Sequence, residues 1–346
     1  MMARSLWGAI APLLIGFALA VALHLAGGSI IGPFYVKLLM DIGINIILAV
    51  SLNLVNGFTG QFSIGHAGFM AVGGYAAGAV TYYGSFLLWG STHVIEGWLS
   101  KGDLLFVAGC LFGAVLAAIA GLIVGLPSLR LRGDYLAIVT LGFGEILRVL
   151  LQRTNDVILT ADEAKKASVG TLATSLGGSL GFSGLPYYTD LFWVYAFVTV
   201  TLVVALRLKF SSLGRAFLSI RENEIAAEAV GVDTTKLKVR AFVLAAAFAG
   251  IAGGLFAHEI GTSLNPRELG FQKSFDVIIM VVLGGMGSVS GAVVAAIVLT
   301  LLPEALRGFS EFRMPIYALA LILMMILRPQ GLLGLKEIWE MKWFKR

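Results

Sequence analysis

The chain has 346 residues, 58% of them hydrophobic and only 13% charged, with a mean hydropathy of +0.91. A soluble domain carries about 45–50% apolar and about 25% charged residues, so this composition excludes a water-soluble globular enzyme, a disordered chain and a secreted disulfide scaffold. It indicates an all-α polytopic membrane protein, in which a net charge of +5 marks basic cytoplasmic loops rather than nucleic-acid affinity. The single cysteine, Cys110, lies in an apolar run and can form neither an internal disulfide nor a cysteine-based metal site.

A helical span needs about 20 mostly apolar residues. The first run covers residues 6–26. Arg4 ahead of it and Ala20-Val21-Ala22 near its end resemble a signal peptide, but the apolar run is too long for a typical h-region and reads as a span. Further runs follow at 34–55, 62–83, 104–126, 135–151, 191–208 and 241–258. The last third holds three shorter segments, 274–285, 290–306 and 315–327, the first of them ending in a glycine cluster and read as a broken or re-entrant helix. About ten spans result, and hydropathy alone does not separate nine from ten. Charge favours ten. Arg4, the Arg130/Arg132 loop, the 207–240 loop and the tail from Arg328 hold 15 of the 25 Lys and Arg residues. They share one side only if the count is even and both termini are cytoplasmic. The 152–188 stretch then forms an external loop and 209–238 a cytoplasmic one.

Several chemistries are missing. No Gly-Lys dipeptide occurs, so the chain has no Walker A loop to cradle a nucleotide's phosphates. Gly177-Gly178-Ser179-Leu180-Gly181 matches a nucleophile-elbow pattern but lies in a Gly/Ser-rich external loop, without the strand-to-helix turn that chemistry requires. His24, His66, His93 and His258 are scattered without metal-ligand spacing. We expect no catalytic residues, no metal and no cofactor.

Three segments depart from lipid-facing sequence. From Asn53 to Phe69 the chain places two Asn, a Thr, a Gln, a Ser and a His beside four glycines. Irregular, polar backbone at membrane depth is tolerated only where it is buried in protein or lines a water-filled path; the alternative is polar glue between helices. Just after it, Gly74-x-x-x-Gly78 reads as a packing face. The second segment is the 211–238 connection, where Arg221 to Val230 is predicted to form one short amphipathic helix. Ile225, Ala226, Ala229 and Val230 lie on its apolar face, Arg221, Glu224 and Glu228 on its polar face, and Gly231 caps its end. The third is Gly284-Gly285-Met286-Gly287-Ser288, which interrupts an apolar run and marks a helix break or a close crossing. Among charges inside spans, Glu145 and Arg148 are three apart on one helical face and are expected to pair with each other, or alternatively to meet a zwitterionic substrate.

Taken together, the Asn56–Phe69 stretch, Leu129-Arg130-Leu131-Arg132-Gly133-Asp134-Tyr135, the Gly214–Asp233 loop, Leu283 to Ser288 and Leu327-Arg328-Pro329-Gln330-Gly331-Leu332 resemble the permease subunits of branched-chain amino-acid ABC importers, specifically the LivM type. The likeness covers residues 34–334 and treats the chain as a single transmembrane permease domain. It implies a multi-pass protein of the bacterial inner membrane, embedded in lipid, that carries no ATPase activity itself. The implied partners are a LivH-type second permease, two cytoplasmic ABC ATPases and a periplasmic amino-acid-binding protein. It also implies that the Gly214–Asp233 loop holds the coupling helix, with Arg215, Arg221, Glu224, Ile225, Ala226, Ala227, Glu228 and Gly231 at the ATPase contact. The family's E-A-A-x-x-x-G pattern falls on Ile225 to Gly231, so Ile225 replaces the usual acid and Glu224 precedes it. Asn56, Gln61, Ser63, His66, Glu145 and Ser288 are the candidates for lining the substrate path. A permease for urea or short-chain amides is the alternative within the same superfamily, and a secondary transporter is a more distant one.

Overall fold

Apolar runs of spanning length fold as helices because a backbone in lipid must satisfy its own hydrogen bonds, and the computed structural model is mostly helical accordingly. It describes residues 2–29, 32–95, 100–128, 134–260, 263–308, 313–327, 330–334 and 337–340. The Arg130/Arg132 loop and Arg328 lie outside these residues. Among the described residues six helices are long and apolar enough to cross a membrane: Pro33–Thr59, Lys101–Pro127, Tyr135–Gln152, Leu191–Phe210, Thr234–Ile260 and Val289–Gly308.

In chain order the helices are α1 (Met2–Ser29), α2 (Pro33–Asn53), α3 (His66–Trp89), α4 (Lys101–Ser128), α5 (Asp134–Gln152), α6 (Ala161–Lys166) and α7 (Val169–Thr174). After them come α8 (Leu191–Phe210), α9 (Ser212–Glu222), α10 (Glu224–Ala229), α11 (Thr234–Ile260), α12 (Phe271–Gly284), α13 (Val289–Ala305) and α14 (Arg313–Leu327). They form two compact units.

The first unit comprises Met1–Gln61, Asp190–Ala241 and Asp276–Arg346. Its centre is α2, buried along most of its length and packed against α8 and α13. Small residues permit the approach: a Cβ on Gly43 would fall onto Val194, and one on Gly16 of α1 onto Thr199. The Asn45 amide donates to the Thr300 hydroxyl at 3.0 Å, and the Tyr195 hydroxyl to the Leu39 carbonyl at 3.2 Å.

The second unit comprises Phe62–Thr189 and Phe242–Phe275. Here α3, α4 and the C-terminal half of α11 meet backbone to backbone. A Cβ on Gly73 would land on Gly250, one on Gly113 on Gly73, and one on Gly253 on the Met70 carbonyl oxygen. Of the expected packing pair, Gly74 faces Gly253 whereas Gly78 faces Leu185. The 152–188 stretch is built rather than loose. It carries α6 and α7, capped by Thr160 and Ser168, and Phe182–Ser183 pairs antiparallel with Ser263–Leu264. Tyr83 ties it to α3 by donating to the Ser175 carbonyl at 2.5 Å. Ser179 sits in a short 3-10 turn, Gly178–Leu180. His258 is a core residue, its ring nitrogens 2.6 Å from the Thr81 hydroxyl and 2.7 Å from the Gly254 carbonyl.

Candidate functional site

The first polar segment begins inside α2. Past Asn53 the helix widens into a π-helix, Leu54–Thr59, and ends at Gly60, whose φ of 69° is the left-handed conformation glycine adopts without cost. Such π turns occur rarely and concentrate at functional sites. The third segment is likewise a true interruption. α12 stops at Gly284, Gly285 and Gly287 take φ of 105° and 95°, and α13 starts at Val289 with Ser288 as N-cap, its hydroxyl accepting from the Gly291 amide at 3.0 Å.

Both interruptions belong to the first unit, and Asn53 joins them. Its side-chain amide donates to the Ser288 carbonyl at 2.9 Å and its carbonyl oxygen accepts from the Gly287 amide at 2.8 Å. This docking needs a glycine at 57, where a Cβ would fall onto the Gly287 nitrogen and the Asn53 side chain. Two cations reach the same place. Arg221 Nη1 donates to the Gly57 carbonyl at 2.8 Å and to the Met286 carbonyl at 3.2 Å. Lys209, from the last turn of α8, donates to the Gly287 carbonyl at 2.8 Å and pairs with Glu337.

Glu337 comes from the C-terminal tail, and its side chain is 0% exposed. It accepts from the Val289 amide at 2.9 Å and the Ser290 amide at 2.8 Å, at the start of α13, where a helix's free N–H groups favour an anion. Burial pushes its carboxyl up, but hydrogen bonds from Lys209, Ser290 and Val289 outweigh burial and hold it below the ordinary carboxylate range. The tail reaches the break by backbone as well, the Leu332 amide donating to the Leu283 carbonyl at 2.7 Å.

The 211–238 connection departs from the single amphipathic helix expected over Arg221 to Val230. It is two helices, α9 and α10, divided at Asn223, which takes φ −160° and ψ 106°. The reason is local: the Asn223 side chain accepts from the Ala226 amide at 3.0 Å, capping α10, as asparagine does where it competes with helix continuation. Arg221 therefore falls in the last turn of α9, whose Phe217 and Ile220 are buried. On α10 the apolar side faces outward, with Ile225 68% and Val230 78% exposed, and Ala226 and Ala229 exposed beside them, whereas Ala227 is buried.

Both acids of α10 are engaged within the chain. Glu224 pairs with the buried Lys238 at 2.6 Å, and Glu228 accepts from the Thr234 hydroxyl at 2.7 Å. Gly231 takes φ 87° just past α10, the expected C-cap geometry. Asp233 accepts at 3.0 Å from the Lys236 amide. Hydrogen bonds from the Lys236 side chain and backbone hold its carboxyl below the usual range. Arg215 is exposed, and its guanidinium bonds the Ser212 hydroxyl at 3.0 Å.

Of the pathway candidates, Asn56, Gln61 and Ser288 lie in the first unit and Ser63, His66 and Glu145 in the second. Asn56, Ser63, His66 and Ser288 are buried, whereas Gln61 is half-buried. At the start of α3 the Ile64 amide donates to Thr140 and the Ala67 amide to Ser274, each at 3.1 Å. Glu145 pairs with Arg148 at 2.7 Å, as their spacing predicted, and its other oxygen accepts from the Phe271 amide at 3.1 Å. It lines a narrow, shallow cleft together with Ile64, Gly68, Gly144, Phe271 and Ser274. Sequence reasoning had no role for Lys209 and Glu337. The only signal was a charge in the last turn of a span and an acid in a basic tail.

Known proteins bear on this geometry. Residues 34–328 match the family model described as branched-chain amino acid transport system / permease component. The chain is 38% identical, over 306 residues, to the high-affinity branched-chain amino acid transport system permease proteins LivM of Salmonella typhimurium and Escherichia coli, covering 84% of this chain and 68% of each relative. It is also 25% identical over 299 residues to the LivH permease protein of Escherichia coli, covering 84% of this chain and 92% of that one. No solved structure matches. The chain is a multi-pass membrane protein and belongs to the branched-chain amino acid transport permease family, a family of transporters rather than enzymes.

Proposed function

We propose that this chain is the LivM-type permease subunit of an ATP-driven importer of branched-chain amino acids. The observation that carries the mechanical part of this reading is α10, a short helix between two spans that leaves Ile225 and the adjoining Val230 exposed while Glu224 pairs with Lys238 and Glu228 bonds the Thr234 hydroxyl. An apolar, rigid, outward face in a basic cytoplasmic connection suits a protein partner better than an anionic lipid surface. In this reading the partner is one of two cytoplasmic ABC ATPases, and it is gripped by apolar side chains rather than by Glu224 or Glu228. A LivH-type permease shares the translocation path, and a periplasmic amino-acid-binding protein delivers the substrate. The chain crosses the bacterial inner membrane about ten times with both termini cytoplasmic, 152–188 outside and 209–238 inside, as the basic residues suggest.

Along the path we place Asn56, Gln61, Ser63, His66, Glu145 and Ser288, with Gln61 and Glu145 foremost because they retain exposure. ATP binding drives transport only insofar as the ATPases bind the two permease conformations with different affinity, since equal affinity shifts nothing.

The test is ATP-dependent uptake of radiolabelled leucine in vesicles holding the complete complex, with excess urea as competitor. Leucine uptake that urea leaves untouched and that disappears without this chain supports the reading. Urea uptake without leucine uptake overturns the substrate. In the same vesicles I225D is expected to abolish uptake while the chain remains inserted, and normal uptake by I225D would remove α10 from the docking role.

A further inference from the structure

The two helix interruptions of the first unit each leave carbonyl oxygens without a helical partner, because a helix ends with its last carbonyls unbonded. Gly57 is in the final turn of the π-helix, and Met286 is in the turn between α12 and α13. Both of these oxygens are taken by one side chain from outside the spans, Arg221. A guanidinium bonding a carbonyl is a charge-assisted contact, stronger than a neutral one and fixed in direction by the planar fork. The fit is close. A Cβ at Gly60 would stand 3.1 Å from the Arg221 Cγ, so the stem of the arginine runs along a glycine left bare for it.

Arg221 is also well placed to be moved. It lies in the last turn of α9, an amphipathic helix of 11 residues whose N-terminus is capped by the Ser211 hydroxyl. One residue separates α9 from α10, and the Asn223 cap fixes the corner between them. α10 is held in turn by Glu224 to Lys238 on α11. A displacement applied to the exposed face of α10 is thus delivered, three residues before α10 begins, to a side chain holding both interrupted helices. At this point the interruptions meet through the Asn53 bonds to Gly287 and Ser288 and through the close approach of Gly57 to the Gly287 nitrogen. Directed bonds of the Asn53 kind are either made or lost, so the junction has a distinct docked arrangement that a displacement can undo.

We infer that Arg221 faces into the membrane domain rather than toward the ATPase, and that it is the positioning residue by which the cytoplasmic connection sets whether the interruptions at 57 and 286 stay docked together. This inference rests on the reading of the chain as the driven permease, and it assigns Arg221 a role distinct from the outward contact made by α10.

The experiment uses the complete complex in proteoliposomes and compares wild type with R221Q and R221K. Three quantities are read: ATP hydrolysis, leucine taken up per ATP hydrolysed, and the nucleotide-driven spectral change of a nitroxide on M286C. Cys110 is buried and stays in place. Removing two charge-assisted bonds in R221Q should lower uptake per ATP by about tenfold or more and abolish the response at 286, with hydrolysis held within about twofold of wild type. R221K, which supplies a donor without the fork, should recover part of both. Wild-type coupling and a wild-type response at 286 in R221Q would overturn the inference. So would a parallel loss of hydrolysis and uptake with the ATPase missing from the purified complex, which would place Arg221 at the ATPase contact. Should R221Q fail to accumulate, R221K decides by the same readouts. The nitroxide reports nucleotide alone, so absent leucine uptake in wild type would count against the substrate and leave the Arg221 outcome legible.

Discussion

In the unit built from Phe62–Thr189 and Phe242–Phe275 the helices meet through glycines, with Gly73, Gly113, Gly250 and Gly253 bringing backbone against backbone. In the other unit glycines also bring backbone close, as at Gly57 and Gly284, but side chains are added across the gap: Asn53, Lys209, Arg221 and Glu337 each bond main-chain groups where a helix has stopped. The glycine junction works by close packing, which falls off gradually with separation and has one good geometry. The polar junction works by a handful of directed bonds whose loss exposes buried charges and orphaned amides. Close packing suits a part that holds its shape, and a bonded junction suits a part that switches between arrangements.

The largest way to break this comparison is at Glu337. In E337Q the half of the ion pair that neutralises Lys209 is gone, and breaking a buried pair from one side costs about 3–5 kcal/mol. Thermal unfolding of the purified protein should show it, and K209M/E337Q should recover part by removing the uncompensated cation. The pH sign follows from the lowered carboxyl. A depressed folded-state value contributes stability that is complete above the ordinary carboxylate range of about 4.3 and lost as pH falls through the lowered value. E337Q should therefore lose that acid-side slope. Equal stability of E337Q and wild type at neutral pH would leave the pair without net worth.

A smaller effect is expected at Asn53. N53A leaves the Gly287 amide buried and unbonded, for a loss of about 1–3 kcal/mol, and it should also speed hydrogen exchange at residues 285–288 relative to the rest of α12 and α13. Unchanged exchange there would mean the two interruptions are held by packing, like the glycine junction. The smallest is G109A, in α4 of the glycine junction. Its Cβ would stand 3.1 Å from the Ala77 carbonyl oxygen and 3.2 Å from the Thr81 methyl, an overpacking at the low end of about 1–3 kcal/mol, and alanine's helix propensity offsets up to about 1 kcal/mol. A lowered melting temperature with normal coupling in the surviving protein would sharpen the contrast, whereas lost coupling at unchanged stability would erase it.

Much of this was legible in the sequence because it is local. Apolar run length locates α2, α4, α5, α8 and α13 to within a few residues, since a span is a property of consecutive side chains; it misses the first seven residues of α11, Thr234 to Arg240, which are mostly polar and basic. The break at 284–288, the Gly231 cap and the Glu145–Arg148 pair are local too, each fixed by neighbours within one turn of helix. The split at Asn223 is local in cause as well, an asparagine capping α10, but the amphipathic pattern from Arg221 to Val230 runs through it unbroken and conceals it.

What the sequence by itself determined is a mostly helical, multi-pass permease with interrupted spans and a basic connection between two of them, because hydropathy, charge bias and glycine clusters act over a few residues. What only the tertiary structure decided is which interruption meets which, and what holds them. Asn53 and Ser288 lie 235 residues apart, Arg221 and Gly57 164 apart, and Lys209 and Glu337 128 apart. The groups these side chains seek are main-chain carbonyls and amides, chemically the same at every position. Only the fold, by ending a helix in one place and not another, leaves some of them open to be bonded.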